Sequence, residues 1–423
     1  MELSEKTDSP RIYAASWLLS PISSPLSGGA ILVRNGAVEE SGTLKELKRH
    51  CSAPVRQYPG AVIIPGFVNA HTHLELTHFP SWKIRSAVDY HPRRFTDWII
   101  QVIKVKRNLA PDDLMHSVNE GIRMCLESGT TAIGEILSDY SLAPLYSSSP
   151  LSGRLCFELL GHESGRFRKL LNGAISSAKE CGGAFLPALS PHSTYTVGRA
   201  NFAAIRDAAG KNSLPLSIHL SESTEEADFI FNSSGPIAEE LYPFAGWREF
   251  IPEPTHCTST ALLDSAGLLN DATTAVHAVH LTLNDAEILK KRGVSVVISP
   301  RSNERLDTGK APVALLKKFG IPLAIGTDSL ASNDSLSLWD EIRFALDGFS
   351  GELSSGELFR MATVGGAEAL SLGKSYGTLL PGSRADFQVV EAEGDMECIL
   401  ERVIVEGILK HTYVAGKRHA GGN

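Results

Sequence analysis

The sequence predicts an α/β protein: a (β/α)8 TIM-like barrel with a small β-sandwich formed from both termini. Three observations carry that expectation. Short apolar runs alternate with amphipathic stretches through the middle of the chain, strand-like segments with turn signals flank them on both sides, and 423 residues suffice for one barrel with an appended sheet. The barrel is expected over residues 65–372 and the composite sandwich over 1–64 and 373–423.

Residues 11–64 alternate apolar and polar positions around Ser27-Gly28-Gly29 and Asn35-Gly36, the pattern of several short antiparallel strands. From Pro65 the pattern changes. Apolar runs at 66–70, 130–135, 155–160, 185–190, 214–219, 274–277, 295–299 and 322–327 predict eight strands. Helical periodicity at 95–107, 112–127, 166–179, 199–209, 284–291, 312–319, 336–347 and 355–370 supplies the helices between them. Past Gly373, strand-like segments return at 386–391, 403–405 and 410–415, punctuated by Gly377, Gly382, Gly407 and Gly416. The Ser-rich stretch 147–152 reads as a loop.

A hydrophobic share of 43 % with 21 % charged residues is that of a globular protein with a sizeable core. The net charge of -8 offers no basic footprint, which argues against nucleic acid or an anionic membrane as partner and for a small-molecule substrate. Six cysteines, Cys51, Cys125, Cys156, Cys181, Cys257 and Cys398, form no CxxC pair, so neither a disulfide framework nor a Cys-rich zinc site is expected. The first residues are acidic, without a basic start and apolar core, and no run approaches the ~18 apolar residues of a membrane span. A cytoplasmic location is expected. Dimers are the commonest oligomers, so a homodimer is the default assembly.

The sharpest local signal is the strand 65–70 ending in His71-Thr72-His73. Residues i and i+2 of a strand face one side, so both imidazoles can converge on one metal ion. A lone His-x-His is more often chance, but its place at the carboxyl end of an apolar strand changes the balance. His219 ends another such strand and Glu222 follows three residues later, a spacing that suits a third ligand and a proton shuttle. A surface histidine followed by the acidic helix start Glu222, Glu225, Glu226 is the bland alternative. His277 and His280 close the next strand and Asp328 the last. In a barrel these ends share one mouth, so residues distant in sequence become neighbours.

The segments PGFVNAHTHLEL, IHLSES, AVHAVHL, PRSNERLDTGKAP, GTDSLASNDSLSLWDEI and GTLLPGSRADFQVV resemble the amidohydrolase superfamily, in its cytosine, guanine, adenosylhomocysteine and aminodeoxyfutalosine deaminase branch. The resemblance spans nearly the whole chain. It implies a hydrolytic deaminase in which His71, His73, His219 and Asp328 are metal ligands. It further makes Glu222 and Asp328 the acid/base pair, and His277 the group that holds the attacking water or polarises the target, with His280 as the fallback. Binuclear relatives carry a carboxylated lysine at the end of strand four; the stretch 184–192 has none, so one divalent ion is expected. Three imidazoles and a carboxylate suit zinc, the default, as well as Fe2+ or Mn2+. The His-x-Glu and Pro-Cys-x-x-Cys pattern of the other zinc deaminase fold is missing.

Pro191-His192-Ser193-Thr194-Tyr195-Thr196-Val197 resembles the loop whose histidine touches the sugar side of nucleosides, with Thr194 in place of the usual proline. His192 is therefore an expected substrate contact. Asp97, just before Trp98, sits where relatives bind ribose hydroxyls; an ordinary amphipathic helix start explains it equally. Trp247, Phe250 and Pro252 suit either an apolar wall over a planar base or core packing. The resemblance is nearest to the aminodeoxyfutalosine deaminases of menaquinone synthesis, then to adenosylhomocysteine or methylthioadenosine deaminases. Guanine deaminases and s-triazine chlorohydrolases follow. A non-catalytic scaffold on this fold would be expected to have lost ligands that are all present here.

Overall fold

The structure is a computed structural model that describes residues 9–88 and 94–421. Five strands open the chain: β1 (Arg11–Ser20), β2 (Ser23–Ser27), β3 (Gly29–Arg34), β4 (Ala37–Thr43) and β5 (Val55–Pro65). Eight follow in the middle: β6 (Phe67–Thr72), β7 (Thr130–Leu137), β8 (Ser152–Leu159), β9 (Phe185–Pro191), β10 (Leu216–Leu220), β11 (Thr273–His277), β12 (Ser295–Ile298) and β13 (Leu323–Ile325). Three close it: β14 (Phe387–Glu391), β15 (Ile408–Val414) and β16 (Lys417–Gly421).

Both ends of the chain meet in one hydrogen-bonded sheet, ordered β16-β15-β14-β5-β1-β3-β4, with β2 beside β1. The long strand β5 joins its two halves, pairing in parallel with β1 and antiparallel with β14 through residues 61–65. The halves fold over one another around a shared apolar face. Tyr13 of β1 packs edge-on against Phe387 (4.9 Å) and Tyr413 (5.1 Å), which stack on each other at 4.3 Å. Burying three rings this way gives the small terminal unit its own core.

Strands β6 to β13 are parallel neighbours in chain order, as a barrel requires. All eight residues of β7 and of β8 are buried, the mark of strands covered on both faces. The interior holds small side chains, Val68, Ala70, Ala132, Val276, Val297 and Ala324, and Ala367, Ala369, Leu370 and Leu372 plug its lower end. Arg154 ties that plug down by donating to the carbonyls of Leu370 and Ser371. The ring closes where the chain beyond β13 meets β6: the amide of Asp328 donates to the carbonyl of His71 at 3.0 Å. Gly326 permits this approach, since a Cβ there would lie 2.8 Å from the His71 Cβ.

One expected element is corrected. Residues 403–405 belong to a helix, Ile399–Glu406, not to a strand. Ile399, Val403 and Ile404 are its buried stripe, and Arg402 pairs with Glu406 one turn on at 2.5 Å. No helix among the described residues is long and apolar enough to cross a membrane.

Candidate active site

The carboxyl ends of β6, β10, β11 and β13 bring His71, His73, His219, His277 and Asp328 to one mouth of the barrel. Ring centroids of His71 lie 4.9 Å from those of both His73 and His219, and 5.8 Å from that of His277. One ligating nitrogen from each of His71, His73 and His219 falls within 4.8 Å of the others, and His71, His277 and Asp328 form a second such set. Asp328 Oδ1 lies 3.8 Å from His71 Nε2 and 3.6 Å from His73 Nε2.

Polar neighbours aim these groups. Ser302 and Ser332 donate their hydroxyls to Asp328 Oδ2 at 2.7 and 2.8 Å, which turns Oδ1 toward the imidazoles. His219 Nδ1 lies 2.9 Å from the His192 carbonyl, so it carries the proton and Nε2 faces the centre as an acceptor. His277 Nδ1 is likewise held by Asn303 Oδ1 at 2.9 Å, and its Nε2 comes within 3.5 Å of Glu222 Oε1. His277 and Asp328 adopt positive φ (71° and 59°), a left-handed conformation uncommon for residues with a side chain and taken elsewhere in this chain by helix caps such as Ser213 and Ser233.

The donor set fits a divalent cation. His71 is fully buried and neither of its ring nitrogens has a hydrogen-bond partner; His277 Nε2 has none either. Leaving such atoms bare is costly, and a metal ion facing them removes that cost. Burial holds the imidazoles of His71 and His219 well below their usual pKa, with their histidine neighbours adding to the effect. That keeps them in the neutral, ligating form.

Two further buried carboxylates, absent from the expected set, organise the mouth. Glu135 accepts from Thr72 Oγ1 (2.5 Å), from the amide of Leu74 (2.9 Å) and from Tyr146 Oη (2.6 Å), bracketing His73 on both sides. Burial pushes its pKa up to about 8. Glu226 accepts from the amides of Ser221 and Glu222 and from the hydroxyls of Thr194 and Ser259. Of the acidic residues read as a helix start, only Glu225 and Glu226 occupy the first turn of helix Thr224–Asn232; Glu222 precedes its cap, Ser223, and turns inward. Burial, then the charges of Asp328 and Glu226, raises the Glu222 carboxyl well above the ordinary range.

Above this floor opens a cavity of about 300 Å³. Phe95, Trp98, Ile99 and Val102 from helix Phe95–Lys106 form one apolar wall, and Leu241 and Trp247 form another. His192 lines the cavity and stacks on His219 at 4.8 Å. Asp97 does not. It lies off the inward stripe of its helix and pairs with Arg94 at 3.0 Å, so the expected ribose contact is not brought to the cavity. Of the aromatic pair at 247 and 250, Trp247 faces the cavity while Phe250 stacks on His162. His280 is held by the Thr308 carbonyl and stands outside the cavity wall, leaving His277 as the histidine at the centre.

Three comparisons bear on this arrangement. The sequence model described as the amidohydrolase family matches residues 62–418. A 5-methylthioadenosine/S-adenosylhomocysteine deaminase of Desulforudis audaxviator is 32% identical over 339 residues, 77% of this chain and 72% of its own. An aminodeoxyfutalosine deaminase of Deinococcus radiodurans is 28% identical over 366 residues, 84% of each chain. Among solved structures, a zinc-bound adenosine deaminase from Xanthomonas campestris superposes with a TM-score of 0.81 at 24% identity, covering 97% of this chain and 93% of its own.

Proposed function

The chain belongs to the amidohydrolase family and is a hydrolase acting on C–N bonds; from that premise we propose that it deaminates an adenine-type nucleoside, 6-amino-6-deoxyfutalosine of menaquinone synthesis being its substrate. The observation that carries the reading is the convergence of Glu222, His277 and Asp328 on the floor of a cavity walled by apolar and aromatic side chains. A planar base fits such walls, and the carboxyl and imidazole groups supply the proton transfers that hydrolytic removal of an amine requires.

In this reading His71, His73, His219 and Asp328 hold one divalent ion, zinc by default, with Fe2+ or Mn2+ as alternatives. Bound there, the ion supplies Lewis-acid activation of water near neutral pH. Asp328 Oδ1 takes the proton that the attacking water loses. Glu222, kept protonated by its burial, donates to the ring nitrogen beside the amine-bearing carbon. With Nδ1 committed to Asn303, His277 offers Nε2 as an acceptor that holds the water's remaining hydrogen and so orients its oxygen. The water oxygen bonds to the ring carbon as the C=N electron pair passes to the ring nitrogen that Glu222 protonates; the carbon–amine bond then breaks with its pair on nitrogen, which takes the proton held by Asp328 and leaves as ammonia, while the hydroxyl's remaining proton returns to Glu222 as the carbonyl forms. His192 lines the sugar side.

Methylthioadenosine or S-adenosylhomocysteine is the second reading, favoured by the identity to the Desulforudis audaxviator enzyme. An s-triazine chlorohydrolase would release chloride instead. The test is ammonia release from adenosine, methylthioadenosine, S-adenosylhomocysteine, 6-amino-6-deoxyfutalosine, guanine and cytosine. The highest kcat/KM is expected on 6-amino-6-deoxyfutalosine; ammonia from none of them would overturn the assignment.

A further inference from the structure

One carboxylate lining the cavity, not used in the reaction above, has no side-chain partner among the described residues. Glu158 is the penultimate residue of β8 and lines the cavity. It is only 9% exposed, and its backbone carbonyl accepts from Tyr140 Oη. Its side chain makes no hydrogen bond and no ion pair among the described residues. Its carboxylate oxygens are not among the buried unpartnered atoms; they open onto the cavity, where a bound ligand can supply their donors. Of the other buried carboxylates at this mouth, Glu75, Glu135, Glu226 and Asp328 are satisfied from within the protein, and Glu222 is the one already assigned to proton transfer.

The surroundings of Glu158 narrow the ligand chemistry. Lys106 lines the same cavity, donates to Ser138 Oγ at 2.9 Å and makes no other hydrogen bond among the described residues. Both side chains act electrostatically on the cavity histidine His192, Glu158 raising its pKa and Lys106 lowering it. Glu158 is an acceptor only, and Lys106 a donor only. A hydroxyl group answers both, giving its hydrogen to the carboxylate and receiving one from the ammonium. A bare carboxylate on the ligand would meet the charge of Glu158, and a bare ammonium that of Lys106. Asp97, the acidic residue expected to take sugar hydroxyls, is turned away to Arg94.

We propose that Glu158, with Lys106 lining the same cavity, binds a sugar hydroxyl of the nucleoside and is a specificity-determining residue of this enzyme. The proposal rests on the nucleoside reading above. It places the base over Glu222 and His277 and the sugar toward His192, Glu158 and Lys106, a polar patch beside the apolar side chains of helix Phe95–Lys106.

The test compares kcat/KM for adenosine, 2′,3′-dideoxyadenosine and 5′-deoxyadenosine in the native protein and in Glu158→Gln. A site built to hydrogen-bond a hydroxyl rejects an analogue lacking it by a large factor, so a preference of at least about 30-fold for adenosine over one analogue is expected. The analogue that loses identifies which hydroxyl is bound. In Glu158→Gln that ratio is expected to fall to within about 5-fold, because a neutral amide holds the hydroxyl less strongly. Equal efficiency on all three substrates by the native protein would overturn the proposal while leaving deamination standing, and needs no variant to fold. An unchanged ratio in the folded variant would also overturn it. So would loss of a preference for S-adenosylhomocysteine over methylthioadenosine with hydroxyl discrimination intact, since that would make Glu158 a partner for an ammonium. Ammonia from no nucleoside would instead sink the underlying function.

Discussion

His277 Nδ1 and Asn303 Oδ1 lie 2.9 Å apart, both completely buried, and this single hydrogen bond decides which nitrogen of the imidazole faces Glu222. With Nδ1 protonated, Nε2 is an acceptor toward the cavity. Replacing Asn303 with Ala frees the ring to take the other tautomer. The expected result is a kcat lowered about 10- to 100-fold with metal content retained, the scale on which partners of site histidines act. Steady-state kinetics with metal analysis checks it; a native kcat would remove Asn303 from the mechanism.

Glu226 gathers four donors, two of them the amides of Ser221 and Glu222. It fixes the turn that presents Glu222, where Ser221 takes a left-handed φ of 51°. Glu226→Ala strips the acceptor from buried donors, at a cost on the order of 1–3 kcal/mol for each one left bare. A thermal midpoint lowered by several degrees is expected, together with a drop in kcat larger than any rise in KM. A variant that loses stability but keeps native kcat would show that Glu226 braces the fold and not the position of Glu222.

The barrel was legible because its strands are buried on both faces and read as continuous apolar runs, as 130–137 does. The strand-end rule then assembled His71, His219, His277 and Asp328 from four distant segments. Applied to polar residues of every kind, the same rule also points to Glu135 and Glu158, which lie near the carboxyl ends of β7 and β8. The placement of Asp97 was illegible for a different reason. Sequence periodicity cannot say whether a first-turn carboxylate faces inward when an arginine three residues earlier competes for it. The stretch 403–405 misled because its β-branched residues favour strands, while tertiary burial of Ile399, Val403 and Ile404 at helical spacing outweighed that preference.

The two unpartnered ring nitrogens of His71 predict that metal removal is felt in stability as well as activity. Dialysis against a chelator is expected to abolish ammonia release and lower the thermal midpoint, and Zn2+ to restore both, because a ligand bound only by the folded state stabilises it. His71→Ala is expected to lose metal stoichiometry and at least about 1000-fold in kcat, the scale set by an activated water. Full activity in the chelated protein would exclude a metal centre at these residues.

His162 gives a pH dependence separate from the metal ligands. It follows β8, and its ring lies 5.0 Å from Tyr242 and 4.7 Å from Trp247 and stacks on Phe250 at 5.6 Å. Its Nε2 is buried with no hydrogen-bond partner, and burial lowers its pKa to about 4. In the unfolded chain the same ring titrates near 6.5. Between these values the unfolded chain binds more protons than the folded one, so the contribution of His162 to stability is fully present above about 6.5 and is lost as pH falls through about 4. His162→Phe keeps an aromatic ring in the box and removes the titration. Between pH 7 and pH 4.5 the thermal midpoint of the native protein is therefore expected to fall further than that of His162→Phe. Parallel midpoints across that range would mean that the buried imidazole charges without cost. Trp247, against which His162 packs, also faces the cavity, so KM for the nucleoside is expected to rise only as pH approaches about 4, where the folded ring takes a proton, and to rise less in His162→Phe.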